Sequence, residues 1–336
     1  MTPLNATARR LVAATFAVSF TSACSSSQNR VEGSATDELR DGGRDSGERT
    51  PAAPDAGTKP YTGLISVQDM ALAAAPELGH GASISVTFAE LRAPDFEEEP
   101  GRPTGCKVWT YDLPGNAPRP PTDQGVVSVE GLARGTVTCT FEAARGYVCG
   151  GASFPFSPED RATDAGVFLP DPGVTVKLDT GGAGALDFPD VGPIVPGGAF
   201  TLDAASRTLI SSVPVDGGAM TLSCDRGEAG CSAATATVVR ISTTDGAIGG
   251  LPPFSMPPAV SRQVEIQCAA LGSDGTMTVS ETVMEYLKRA HASSPITRIR
   301  TAYMREGVGF GDSAPPRPTN RVTVLIGHGV LGFSRP

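Results

Sequence analysis

Aromatic side chains are scarce in this 336-residue chain: one Trp, five Tyr and 13 Phe, 6% in all. No stretch interleaves them with basic residues, so the stacking surface of a single-strand nucleic-acid binder is missing. Lysine is scarcer. Lys59, Lys107, Lys177 and Lys288 are the only four, and the other 23 of the 27 basic residues are arginine. They form no cluster, and the formal net charge is −9, which argues against nucleic acid or an anionic lipid surface as partner. Residues 11–20, LVAATFAVSF, form an apolar run of ten, against the roughly 20 that a membrane-crossing helix needs. C-x-x-C spacing does not occur, nor do H-E-x-x-H, G-x-S-x-G, S-x-x-K or a phosphate-binding loop. These absences leave no catalytic residue, metal ligand or cofactor to nominate, and an enzyme is not expected.

What is abundant is punctuation. Forty Gly and 29 Pro break the chain too often for long helices. Short alternating runs fill the gaps from Gly63 onward, among them GLISVQD, ASISVTFAEL, CKVWTYDL, GVVSVEGL, GTVTCTFE, VTVKLD, AFTLD and TLISSV. MTLSC, ATVVRIST, RQVEIQC, GTMTV, ITRIRTAY and RVTVLIG continue the series. Period-two runs bounded by Gly, Pro or Asp read as strands, and strands at this spacing point to an all-β protein built of β-sandwiches. One helix is expected over 280–291, SETVMEYLKRAH, with Ser280 as N-cap and Val283, Met284 and Leu287 on one face. The Pro- and Gly-rich stretch PDVGPIVPGG suggests two tandem sandwich domains, 61–196 and 197–336, with a single larger sandwich as the alternative.

The amino terminus reads as an export signal over 1–23. Arg9 and Arg10 precede the apolar run, and the small residues Thr21, Ser22 and Ala23 precede Cys24. This resembles the lipobox cut by the bacterial lipoprotein signal peptidase, although that pattern has Leu where Thr21 stands. A secreted protein with a free terminal thiol is the alternative. Lipidation of Cys24 implies a stable membrane anchor, since each buried CH₂ of an acyl chain contributes about 0.8 kcal/mol. Residues 24–60 hold few large apolar side chains, and we expect a disordered tether with a reach of roughly 30–35 Å. Ser25 is not the aspartate that retains such proteins in the inner membrane, which favours the outer one. The partners expected are the membrane, through the anchor, and an envelope protein or a glycan.

Setting Cys24 aside leaves Cys106, Cys139, Cys149, Cys224, Cys231 and Cys268, an even set that suits disulfides in an oxidising compartment. Cys139 and Cys149 flank a hairpin and fall opposite each other if its turn centres on Ala144. Cys224 and Cys231 bracket a loop that can close locally, and Cys268 can take either of them instead. Trp109 and Tyr111 share one strand face, where exposed rings would stack a sugar and buried ones would serve the core. Gly79-His80-Gly81 and Gly327-His328-Gly329 repeat a tripeptide that can present an imidazole. Asp95-Phe96-Glu97-Glu98-Glu99 is an acidic run able to attract a divalent cation or simply to face water. Gly181 to Asp187, GGAGALD, nearly matches a calcium-binding nonapeptide but occurs once.

The strand GCKV at 105–108, the V-V-x-V-x-G-L strand, PGVTV with DFP, and the late C…GTMTVSxxVMxxL segment fit one pattern. On these motifs residues 60–336 resemble the uncharacterised lipoproteins of certain high-GC Gram-negative bacteria. The resemblance implies tandem immunoglobulin-like sandwiches and brings no active site with it.

Cys24→Ala is expected to abolish labelling by palmitate and to leave the chain uncleaved or released from the membrane, with the folded body intact. A processed variant that stays in the membrane fraction contradicts the lipobox.

Overall fold

The computed structural model describes residues 61–74, 80–90, 92–100, 104–112, 122–133, 135–143, 146–149, 161–162, 169, 173–179, 190–196, 198–232, 236–243, 262–272, 274–293, 296–312 and 321–336. The export signal, Cys24, the tether and the glycine-rich 181–187 lie outside these residues, as does Ala144 at the centre of the expected turn.

The protein is all-β, with two sheets as sandwich-like layers. The strands are β1 (Tyr61–Leu72), β2 (His80–Glu90), β3 (Phe96–Glu97), β4 (Gly105–Asp112), β5 (Val126–Glu130), β6 (Val137–Glu142), β7 (Gly146–Cys149) and β8 (Arg161–Ala162). They continue with β9 (Val174–Asp179), β10 (Val191–Ile194), β11 (Met220–Ser223), β12 (Ala236–Thr243), β13 (Arg262–Ala270), β14 (Thr276–Val279), β15 (Ile299–Asp312) and β16 (Arg321–Ser334). A nine-stranded sheet runs β3-β4-β13-β12-β15-β16-β1-β2-β8, a five-stranded sheet β10-β9-β5-β6-β7, and β11 pairs with β14. The large sheet thus takes strands from both sides of position 196, and PDVGPIVPGG itself supplies β10.

Alternation gives the large sheet two faces. Its inner face is covered in two parts. Ile65, Val67, Phe88, Val322, Val324 and Ile326 pack on Val127, Val129, Val174, Val176, Val191 and Ile194 of the five-stranded sheet. Val239, Val264, Ile266 and Tyr303 pack on β11, β14 and two helices, α1 (Ala204–Ile210) and α2 (Glu281–Ser293). Between the two apolar regions runs a polar row: Thr237, Arg305, His328 and Asp69 stand in register on β12, β15, β16 and β1. Arg305 is fully buried; it donates to Thr237 Oγ1 and, from Nη2, to the Cys231 carbonyl at 3.2 Å.

α2 forms where expected. The Val283 amide donates to Ser280 Oγ at 3.3 Å, and Val283, Met284, Leu287 and Ala290 are buried. Each such side chain contributes about 1.5–3 kcal/mol by leaving water, Ala less. TLISSV is not a strand. Its first three residues end α1, because Asp203 Oδ1 accepts from the Ser206 amide at 2.7 Å and Ser206 and Ile210 then fall on one buried face. AFTLD contributes only an isolated bridge, Leu202 to Cys224.

All six cysteines downstream of Cys24 pair. Cys139–Cys149 joins directly opposed residues of β6 and β7 with Cα atoms 3.9 Å apart, as the hairpin spacing predicts. Cys224–Cys231 closes its loop. Cys106–Cys268 links directly opposed residues of β4 and β13, 162 positions apart, and so takes Cys268 out of competition for the other pair. A crosslink over that span restricts the unfolded chain by about 5 kcal/mol on the loop-entropy scale.

Glycines carry the long strands past close neighbours. A Cβ at Gly309 would meet Ile194 Cδ1 at 2.5 Å, so β15 is bare where β10 crosses it. A Cβ at Gly327 would lie 1.9 Å from the Arg305 carbonyl oxygen, a backbone atom that cannot turn aside. Gly327→Ala is expected to cost about 1–3 kcal/mol by overpacking, which lowers Tm by several degrees. Gly218→Ala, whose Cβ would meet only Asp216 Oδ1 at 3.5 Å, is the matched control. Equal melting temperatures for the two variants contradict this packing.

Candidate ligand-binding face

The outer face of the large sheet carries Trp109 and Tyr111 on β4, opposite Glu265 and Gln263 of β13. The two rings share a face, as the alternation predicts, but they do not form a two-ring platform. Tyr111 is 8% exposed, and the Arg92 guanidinium covers its ring at 4.7 Å. Arg92 is held there by Asp95 at 3.1 Å and by the Thr110 carbonyl at 2.9 Å. Burial pushes the Tyr111 hydroxyl up to about 12. Trp109 is half-buried and donates from Nε1 to the Arg92 carbonyl at 3.3 Å.

Beside these rings the same face carries charge that the strand pattern alone did not single out. Arg240 on β12, Glu265 on β13 and Arg300 on β15 project to this side and interact through space. Burial raises the Glu265 carboxyl, and Arg240 and Arg300 pull against that rise. Burial and the charge of Arg240 lower Arg300 to about 10, with Glu265 opposing. Further along β15, Glu306 is fully buried and its Oε1 accepts from Gln68 Nε2 at 2.7 Å. Burial raises this carboxyl too, more than Arg240 and Gln68 lower it. The signal was present in the alternation of ATVVRIST, RQVEIQC and ITRIRTAY, where Arg240, Glu265 and Arg300 stand opposite the inward Val239, Ile266 and Ile299, although Val238 and Ala302 are buried on the same outer face.

The histidines stand on three separate elements. His328 is 4% exposed on the inner face, with Nδ1 3.6 Å from Asp69 Oδ2. Its flanking glycines serve packing rather than presentation: a Cβ at Gly329 would meet Met70 Sδ at 2.5 Å on the outer face. His291 lies in the last turn of α2, where its Nδ1 accepts from the Ile296 amide at 3.1 Å. His80 opens β2 opposite Ala71, and its side chain is outside the described residues. Among the described residues no group of three or more His, Cys, Asp or Glu side chains is placed to hold a metal ion.

The acidic run is largely engaged. Asp95 Oδ2 accepts from the Thr110 amide and hydroxyl. Burial works against ionisation there, but the Thr110 bonds and the Arg92 charge hold Asp95 below its usual value. Glu97 pairs with Lys107 at 3.1 Å, and Glu98 accepts from the Ser280 hydroxyl. A shallow pocket of about 580 Å³ opens over Phe96, Glu97, Glu98, Thr104 and Thr282.

No family model, no curated protein and no solved structure matches this chain.

The raised Glu306 carboxyl has a stability consequence with a definite sign. Its folded value lies above the ordinary 4.5, so its contribution is intact below that value and is lost as pH rises through the folded value. Glu306→Gln is therefore expected to melt with the wild type at pH 4 and above it at pH 8. A difference in Tm that does not change with pH contradicts the assignment.

Proposed function

We propose that the protein is a lipid-anchored envelope protein of the outer membrane whose β-sandwich body acts as a non-enzymatic interaction or structural module. The observation that carries this reading is the pairing of all six body cysteines. A fully cross-linked body suits an oxidising compartment outside the cytoplasm, and it leaves Cys24 as the residue for the anchor. A chain of net charge −9 with a small polar segment after Cys24 suits display in water on a tether. The resemblance to lipoproteins with tandem sandwiches supports the same reading.

A second reading is a carbohydrate-binding lipoprotein, favoured by the half-buried Trp109 beside polar side chains on one sheet face. A divalent cation finds less support in the acidic run, whose Asp95, Glu97 and Glu98 already have partners. A hydrolase finds little in the histidines, since the His328–Asp69 pair is enclosed.

Density-gradient fractionation of intact cells, combined with thiol alkylation before and after reduction, tests the reading. The expected result is recovery in the outer-membrane fraction with the six body cysteines reactive only after reduction. Recovery from the inner membrane alone, or free body thiols before reduction, contradicts it.

A further inference from the structure

The six body cysteines differ in access. Cys106, Cys139, Cys224, Cys231 and Cys268 are at most 2% exposed, and Cys149 alone of the six is partly open to solvent. Thiol–disulfide exchange begins when a thiolate reaches one sulfur of the bond, so access decides which bond reacts, and exposed disulfides are the labile ones. Cys106–Cys268 lies inside the large sheet, with β3 and β12 on either side of its two strands. Cys224–Cys231 lies against Gly275, where a Cβ would collide with both sulfurs.

The bond that Cys149 makes is also placed where its loss acts on the fold. β7 is the outermost strand of the five-stranded sheet and, among the described residues, pairs with β6 alone. Gly146 opposes Glu142 beside the turn, and Cys149 opposes Cys139 at the open end of the hairpin. The disulfide therefore clips the end from which the strand would fray. Between these two pairs stands Tyr147, which ties β7 to the other layer. Its ring lies 5.6 Å from that of Phe88 on β2 and 5.4 Å from that of Phe141 on β6, and its hydroxyl accepts from the Gln124 amide at 2.8 Å.

We propose that Cys139–Cys149 is a thiol–disulfide exchange site for a dithiol reductant, and that its opening loosens β7 from the sandwich. A thiolate of the reductant attacks Cys149 Sγ; the bond to Cys139 breaks, and Cys139 leaves as a thiolate that takes up a proton. The second thiol of the reductant loses its proton and displaces Cys149 from the mixed disulfide. Two electrons pass to the protein, and the reductant ends as a disulfide. The opened bond spans 10 positions against 162 for Cys106–Cys268, so it constrains the unfolded chain less and the body stays folded without it. The site goes beyond the envelope reading and shares with it only the cysteine pairing. That reading fails on free thiols before any reductant is added; this site fails on the order in which the bonds open afterwards.

The test treats the purified full chain with dithiothreitol under native conditions, quenches samples at intervals by alkylation, and locates the labelled cysteines by mass spectrometry. Cys139 and Cys149 are expected to be labelled together, at least about tenfold faster than the other four. Amides of 146–149 are then expected to exchange faster, while those of 127–129 on the central strand β5 stay protected. Opening of either other disulfide first or at the same rate overturns the site, as does release of all six thiols in one step. Protection at 146–149 that selective reduction leaves unchanged overturns it too. Cys139→Ser combined with Cys149→Ser is expected to show the faster exchange without reductant, and a folded double variant with wild-type protection contradicts the loosening of β7. The labelling order is read on the wild type, so it stands even if the double variant disturbs folding.

Discussion

The large sheet depends on one long-range pairing, the parallel alignment of β1 with β16. Thr62 to Leu72 lie beside Arg321 to Leu331, the first strand of the body against the last. Antiparallel neighbours can form through a short turn, but these two strands must be brought together around everything between them. On its other edge β1 holds β2 and β8, and β16 holds β15, β12, β13, β4 and β3. Without β1–β16 the sheet falls into those two parts. Val67 and Ile326 would then no longer stand side by side in the face that packs on the five-stranded sheet. Another distant pairing, β4 with β13, is locked covalently by Cys106–Cys268, whereas β1–β16 rests on hydrogen bonds and burial.

The same pairing explains where the polar side chains sit. Asp69 and His328 are register partners in it, and Arg305 is His328's partner in β15. This row falls where the cover of the inner face changes from the five-stranded sheet to the helices and β11–β14. The groups of this row meet partners: Arg305 donates to Thr237 Oγ1 and the Cys231 carbonyl, and His328 Nδ1 lies 3.6 Å from Asp69 Oδ2, which offsets part of the cost of burying them. On the outer face the balance differs. Gln68 Nε2 donates to Glu306 Oε1 across Gly327, while the second carboxylate oxygen of Glu306 and the Nε and Nη2 of Arg240 are enclosed without a hydrogen-bond partner among the described residues.

Much of the fold was legible because its signals are local. Alternation marked most strands, Ser280 and its apolar face marked α2, and the spacing of Cys139 and Cys149 about one turn marked their bridge. The failures are informative for the same reason. TLISSV has strand-like composition, but the cap at Asp203 decides its state, and a cap is a single residue outside the apparent run. The runs ITRIRTAY and RVTVLIG stop short of the strands they mark, because β15 and β16 continue through GVGFG and GHGVLGF. Their glycines answer to neighbours such as Ile194 and Met70 that are distant in the chain. The bridge from Cys106 to Cys268 needed the strand order, which no local pattern carries. Alternation put Trp109 and Tyr111 on one strand face, but the cover that Arg92 lays over Tyr111 and the charges of Arg240, Glu265 and Arg300 depend on parts of the chain distant from β4.

Amide hydrogen exchange of the native protein tests the β1–β16 pairing most directly. Strands bonded on both edges of a sheet interior open only with the cooperative unit to which they belong. The account predicts that amides of 64–71 and 322–331 belong to the slowest class and lose protection together. Rapid exchange across 64–71 while 322–331 stays protected by β15 would show that the first strand is not seated against the last, and would contradict the architecture on which the rest is built.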